Sequence, residues 1–223
     1  MVLFSAASAD AGAWEREEGT GFASFSYNLP TDSEEAQEGT VSAYFEYGLP
    51  WRLTAGANLD QRPIGPHALE VFLRRNVNAP DAELQVAIEV GFEIALDAHM
   101  DETTGAIRYT ADPGQPTLAL HIGRGFASQL GYGWVDARLG LNFPTDDIEY
   151  SGEIDATIGL SVSERAFMTF EVWHDFTRER SVTSLVPGAG YRLTDRFALT
   201  AKYIYDADDV ASDSVEIGAW IEF

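Results

Sequence analysis

The stretch that decides the fold closes the chain: Ser212–Phe223, SDSVEIGAWIEF. Val215, Ile217, Ala219, Ile221 and Phe223 fall on one parity, while Glu216, Gly218, Trp220 and Glu222 fall on the other. In an extended strand, successive side chains point to opposite faces. This segment therefore has one apolar face and one face of acids, a glycine and an indole. It stops on an aromatic residue.

The same rhythm runs back to residue 22, in about twelve segments altogether. Ala23, Phe25, Tyr27 and Leu29 oppose Ser24, Ser26 and Asn28. Val41, Ala43, Phe45 and Tyr47 oppose Ser42, Tyr44 and Glu46. Leu84, Val86, Ile88, Val90, Phe92 and Ile94 form the longest run, against Gln85, Ala87, Glu89, Gly91 and Glu93. Val135 to Asn142, Ile154 to Val162 and Met168 to Trp173 behave alike. The segment Ser184–Tyr191 is weaker, because Pro187 suits an edge or a bulge better than a central strand. Short connections, such as Leu49-Pro50, Ser163 to Arg165 and Arg192 to Arg196, alternate with longer ones, such as Asp97 to Pro116 and Pro144 to Tyr150. No linker or shift of composition marks a second domain. Up-and-down strands with short turns at one end and long loops at the other account for this order.

A soluble β-sandwich also alternates. Most segments here run to about eight residues or more, longer than the usual five or six and close to the 9–11 that cross a bilayer at a tilt. Aromatic residues gather at both ends of the apolar face: Tyr47, Tyr191, Phe197 and Phe223 at the short-turn end, Tyr27, Phe92, Phe143, Phe176 and Tyr203 at the long-loop end. An apolar band between two aromatic girdles belongs to a membrane barrel. Closure removes the open edges that lipid does not tolerate. The expected fold is all-β: a closed up-and-down antiparallel transmembrane β-barrel of about twelve strands.

The ending EIGAWIEF resembles the C-terminal assembly signal of Gram-negative bacterial outer-membrane β-barrel proteins, with Glu216, Gly218, Ile221 and the terminal Phe223 at the matching places. The resemblance is to that broad class and identifies no functional family within it. It implies location in the bacterial outer membrane, a last strand read by the barrel-assembly machinery, and closure of that strand against the first. The lipid bilayer is then a partner, with lipopolysaccharide contacts open to the outer surface.

The chain has 223 residues, a formal net charge of −22 and no cysteine. Such acidity argues against nucleic acid, whose phosphates need basic patches. The beginning, MVLFSAASADAGAW, has a short apolar run, small residues and Ala9-Asp10-Ala11 in an A-x-A pattern, without a basic start. Residues 1–11 are expected to be a signal-peptide remnant shortened at its start, with maturation near Gly12, and 12–223 a single barrel domain.

The polar parity places charge in the lumen. Glu46, Glu70, Glu89, Glu93, Asp136, Glu153, Asp155, Glu171 and Glu216 are set there against Arg52, Arg74, Arg138 and Lys202, with His121 among them. Hairpin symmetry pairs Glu46 with Arg52 and Val186 with Lys202, with Glu216 flanking Lys202 from the other side. The surplus of acids favours cations, as carboxylate rings do, unless the charges serve only as a solvated or salt-bridged lining. Tyr44, Phe72, Trp173 and Trp220 narrow the path. The expected function is a narrow porin-like channel for small solutes or ions, or a structural surface protein.

The alternative is a barrel hydrolase acting on lipid or peptide. Its candidates are His174, Asp175, Asp60 and His67 at the long-loop end, where His99 also lies. A nucleophile needs a base within hydrogen-bond reach. No His-x-Ser pair places both on one face, and His174 and Asp175 are adjacent, hence on opposite faces. No catalytic set, cofactor or metal site emerges. The acidic stretches TDSEEAQE (31–38) and DADDVASD (206–213) do not match an EF-hand loop and are expected to be solvated surface.

Overall fold

The computed structural model describes residues 12–31, 39–61, 66–100, 107–111, 114–143, 151–208 and 213–223. The expected signal remnant at 1–11, residues 32–38 of the first acidic stretch and 209–212 of the second lie outside the described residues. Asp206 and Asp213, expected as solvated surface, are buried, with Tyr203 donating to Asp213 at 2.7 Å. The strands are β1 (Gly21–Pro30), β2 (Thr40–Leu49), β3 (Leu53–Gln61), β4 (Pro66–Asn76), β5 (Gln85–Met100), β6 (Ile107–Ala111), β7 (Gln115–Ser128) and β8 (Gly131–Asn142). They continue as β9 (Ser151–Ser161), β10 (Ala166–Thr177), β11 (Ser181–Thr194), β12 (Phe197–Asp206) and β13 (Ser214–Glu222).

All pair antiparallel in one sheet, and the additional β4–β5 pairing closes it. The wall has twelve strands, because β6 only continues β7 beyond a break and pairs with the outer end of β5, from Leu96↔Ala111 to Met100↔Ile107. The connection expected at Asp97 to Pro116 is thus partly a paired ribbon. It extends past the end of the barrel, where no bilayer imposes an apolar face and the sequence rhythm is faint.

The first and last strands meet along β1–β13, from Phe22↔Glu222 to Pro30↔Ser214. Phe223 seals the base of this seam: its N–H donates to the Gly21 carbonyl at 3.0 Å, and the Gly21 N–H donates to the Phe223 carbonyl at 2.7 Å. The Phe223 ring stacks on Phe45, with centroids 6.2 Å apart.

The two faces see different surroundings. Val71, Val90, Ile158 and Ile217 are 48%, 53%, 47% and 56% exposed, while Phe72, Glu89 and Trp220, of the other parity, are buried. An apolar exterior this continuous around a closed wall requires lipid as its solvent. Tyr47, Tyr132, Tyr191 and Phe223 are exposed at the short-turn end, and Tyr27, Phe92, Phe143 and Tyr203 at the other.

Two turns depart from simple hairpin symmetry. Between β2 and β3, a 3-10 turn at Pro50–Arg52 holds Trp51 and Arg52 at φ 63° and 61°. The register is Glu46↔Gly56, so Arg52 does not face Glu46. Between β11 and β12, an irregularity at Arg192/Thr194 sets Gly188, not Val186, opposite Lys202. Lys202 does face Glu216. Pro187 stands inside a closed wall rather than at an edge. It keeps its place beside β10 (Phe170↔Pro187), while the β12 ladder skips from Leu185↔Tyr205 to Gly188↔Lys202, where a residue without an N–H costs least.

Two outcomes are expected. Removing Phe223 will lower the yield of heat-modifiable, protease-resistant barrel, since the seam loses its last two hydrogen bonds and a ring stack. Val90→Arg will cost about 2–4 kcal/mol in urea unfolding from lipid vesicles, as for cations at the midplane of a lipid-facing wall. Ser42→Arg, beside Asp60 on the inner face, will cost less than about 1 kcal/mol, the scale of a favourable charge pair near water. Equal penalties would contradict the assignment of faces.

Candidate functional site in the lumen

The inner face has three zones along the barrel axis. At the short-turn end, Phe22, Trp134, Phe167, Ala198 and Trp220 form a buried apolar cluster, with Trp14 and Tyr44 packed against it. Edge-to-face contacts order it: Phe22 and Phe167 meet Trp220 at 5.6 and 5.3 Å. Phe22, Trp134 and Phe167 each precede an outward-facing residue and so point inward. Their joining into one cluster depends on which strands stand across the lumen, which parity does not tell.

Beside this cluster lies a network of ion pairs. Arg74 is almost wholly buried and bonds to Glu46 and, at 3.4 Å, to Glu89. Glu89 also meets Arg138 at 3.4 Å and His121 at 3.3 Å. Arg138 pairs in turn with Glu153 and, at 3.8 Å, with Asp155. Tyr44 donates to Glu46 at 2.5 Å. Glu70 accepts from Thr117 at 2.7 Å and Glu93 from Gln115 at 2.9 Å. A second group joins Lys202 to Glu171 at 3.1 Å and to Glu216 at 3.7 Å, with Ser26 donating to Glu216 at 3.1 Å. Of the sequence-chosen set, Arg52 stands apart: it lies in the short turn and pairs with Glu15.

Part of this network belongs to a segment that sequence patterning did not place. Residues 12–16 are not in the wall; they run inside it, and residues 17–19 are exposed at its rim. The Ala13 N–H donates to Asp136 at 3.1 Å, and Asn76 donates to the Ala13 carbonyl at 2.6 Å. Arg16 bonds to Glu46 at 2.5 Å and lies over the Phe22 ring at 4.6 Å. Its backbone N–H reaches Thr54 at 3.3 Å. Nothing in GAWEREEGT alternates, so strand periodicity carried no signal here.

Toward the long-loop end the lumen opens. A cavity of about 540 Å³ is lined by Asn28, Thr40, Ser42, Asp60, His67, Trp173 and Glu216, among others. Below it lies one of about 130 Å³, bounded by Ser24, Thr157, Thr169, Glu171, Lys202 and Trp220, and sharing Glu216 with the first. A third, of about 250 Å³, lies at the rim between Glu153, Asp175 and Arg180.

The four hydrolase candidates are divided. Asp60 and His67 line the cavity of about 540 Å³ together, with Ser42 donating to Asp60 at 2.5 Å. Asp175 lines the rim cavity. His174 stacks on Phe176 and lies 3.0 Å from the Thr183 hydroxyl. The His99 side chain is outside the described residues. Among the described residues, no group of three or more His, Cys, Asp or Glu is arranged to hold a metal ion.

No family model matches the chain, and no curated protein matches it. Solved structures do. The NanC porin superposes with a TM-score of 0.65 at 8% identity, over 90% of this chain and 98% of that one. The KdgM porin superposes with a TM-score of 0.62 at 8% identity, over 91% and 99%. An outer membrane channel from Pseudomonas putida F1 gives 0.53 at 11%, over 96% and 100%. The chain has the fold of bacterial outer-membrane barrels.

Removing one partner of a buried ion pair leaves the other charge uncompensated. Arg74→Ala will therefore cost about 3–5 kcal/mol in urea unfolding. A loss near zero would mean that water already shields Glu46 and Glu89.

Proposed function

We propose that the chain is an outer-membrane channel that passes small solutes and prefers cations. The reading rests most on one observation: acids border the hollow part of the lumen. Asp60 and Glu216 line the cavity of about 540 Å³, and Asp175 lines the rim cavity beside Arg180, where Glu153 is already paired with Arg138. Most of the inner bases are engaged lower down, in the Arg74 and Arg138 network. Carboxylates around a narrow aqueous path attract cations and repel anions. Their field reaches about 8 Å at physiological salt, comparable to such a path.

The short-turn end is then periplasmic and the long-loop end external. The neighbours support a channel reading by fold. One KdgM structure was solved with disordered oligogalacturonate, a chain of sugar acids. The acidic mouth here suits a neutral or positively charged solute instead. On the same reading, Glu216, Gly218, Ile221 and Phe223 are what the barrel-assembly machinery recognises, and the exposed apolar belt is what the bilayer covers.

The test is the reversal potential in a planar bilayer under a salt gradient. The wild-type protein will favour cations, and the preference will fade as salt rises. Asp60→Asn with Asp175→Asn will reduce it while leaving urea stability unchanged. Anion preference in the wild-type protein would refute the electrostatic argument.

A further inference from the structure

We infer that Gly12–Thr20 is the channel's own plug: it fills the short-turn half of the lumen and must leave before solute can cross. The inference rests on the channel reading and adds how that channel is closed. The segment begins deep inside, where Gly12 lies against His121 and Arg74, and descends to the rim, where Glu15 pairs with Arg52. There the chain turns back at Gly19, whose φ of 84° suits glycine, and enters the wall as β1. The Gly19 N–H donates to the Gly48 carbonyl at 3.0 Å, and the Gly48 N–H to the Thr20 carbonyl at 2.9 Å. These two bonds form a fixed base from which residues 12–16 reach inward, with Glu17 and Glu18 exposed at the rim.

The segment crosses the bore rather than following one wall. Its polar contacts reach Glu46 on β2, Thr54 on β3, Asn76 on β4 and Asp136 on β8. Ala13 has no exposed surface, and Trp14 packs against the apolar cluster. The wall is shaped to receive it. A side chain at Gly48 would collide with the Glu17 carbonyl, one at Gly123 would approach the Trp14 ring to 2.5 Å, and one at Gly12 would strike the His121 ring. The glycines on both sides make the close approach possible. Ion pairs and hydrogen bonds hold residues 12–18, with no strand pairing to the wall, so the segment is able to withdraw without breaking the closed sheet.

The chain has no cysteine, so an engineered pair has no competitor. A Cβ at Gly123 would lie 2.7 Å from that of Ala13, short of the 3.5–4.5 Å of a disulfide by an amount a small backbone shift supplies. The test uses full-length A13C/G123C protein refolded in detergent, with folding checked by heat-modifiable mobility and cross-linking by loss of thiol labelling. In planar bilayers the oxidised form will be sealed, and reductant will restore wild-type openings. A second variant, lacking residues 12–18, will show a several-fold larger conductance. Failure to cross-link in folded barrels would overturn the plug. So would equal conductance of oxidised and reduced forms, or of truncated and full-length protein; in these cases a conducting wild type leaves the channel reading standing. Folded barrels that stay silent in every form, the truncated one included, would overturn the channel reading and the plug with it.

Discussion

A strand exposed to lipid must have every backbone N–H and C=O paired, because the bilayer offers no water to replace a missing partner. The rest of this structure depends on how that demand is met. The sheet closes through β1 and β13, and the final residue bonds to the first residue of the first strand. Once closed, the wall has an inside and an outside, and each strand must give one parity to each. That is why alternation persists through segments as different as the valine- and isoleucine-rich β5 and the glycine-rich β11. It is also why Pro187 is tolerable only where the β12 ladder skips.

The same physics explains what the sequence disclosed and what it withheld. Parity assigns each residue to a face: Arg74, Glu89 and His121, on the polar parity, are buried, and Ile158, on the apolar one, is exposed. Register is another matter. A slip of one residue would turn every side chain to the wrong face, but a slip of two keeps the pattern intact. Both mistaken pairings are of this even kind: Lys202 faces Gly188 rather than Val186, two residues away, and Glu46 faces Gly56 rather than Arg52, four away. Turn geometry decides between such registers. The positive φ of Trp51 and Arg52 and the irregularity at Arg192/Thr194 have no trace in the hydrophobic rhythm. Residues 12–20 were invisible for a related reason: they obey no period, since they touch neither lipid nor a neighbouring strand ladder over most of their length.

An inner surface must also be filled or wetted. Side chains alone suffice to fill a barrel of about eight strands, and a wider one retains space along its axis. Here the two ends solve the problem differently. The short-turn half is packed with an aromatic cluster, a buried ion-pair network and a stretch of the chain's own backbone. The other half remains hollow, with cavities of about 540 and 130 Å³.

This division separates two properties that a channel must control. Arginines gather where packing excludes water, because a carboxylate buried there needs a partner: Arg16 and Arg74 hold Glu46, and Arg74 and Arg138 hold Glu89. Toward the mouth, water screens the carboxylates, and Asp60 is held by hydroxyl and amide donors from Ser42 and Asn58. On the proposed channel reading, selectivity belongs to the hollow half, where fixed acids would meet the entering solute. On the same reading, closure belongs to the filled half, where one segment completes both the packing and the charge balance. Withdrawing that segment removes Arg16 from Glu46 but leaves Arg74 in place, so the network retains a cation at its centre and the wall has no reason to collapse around the opening.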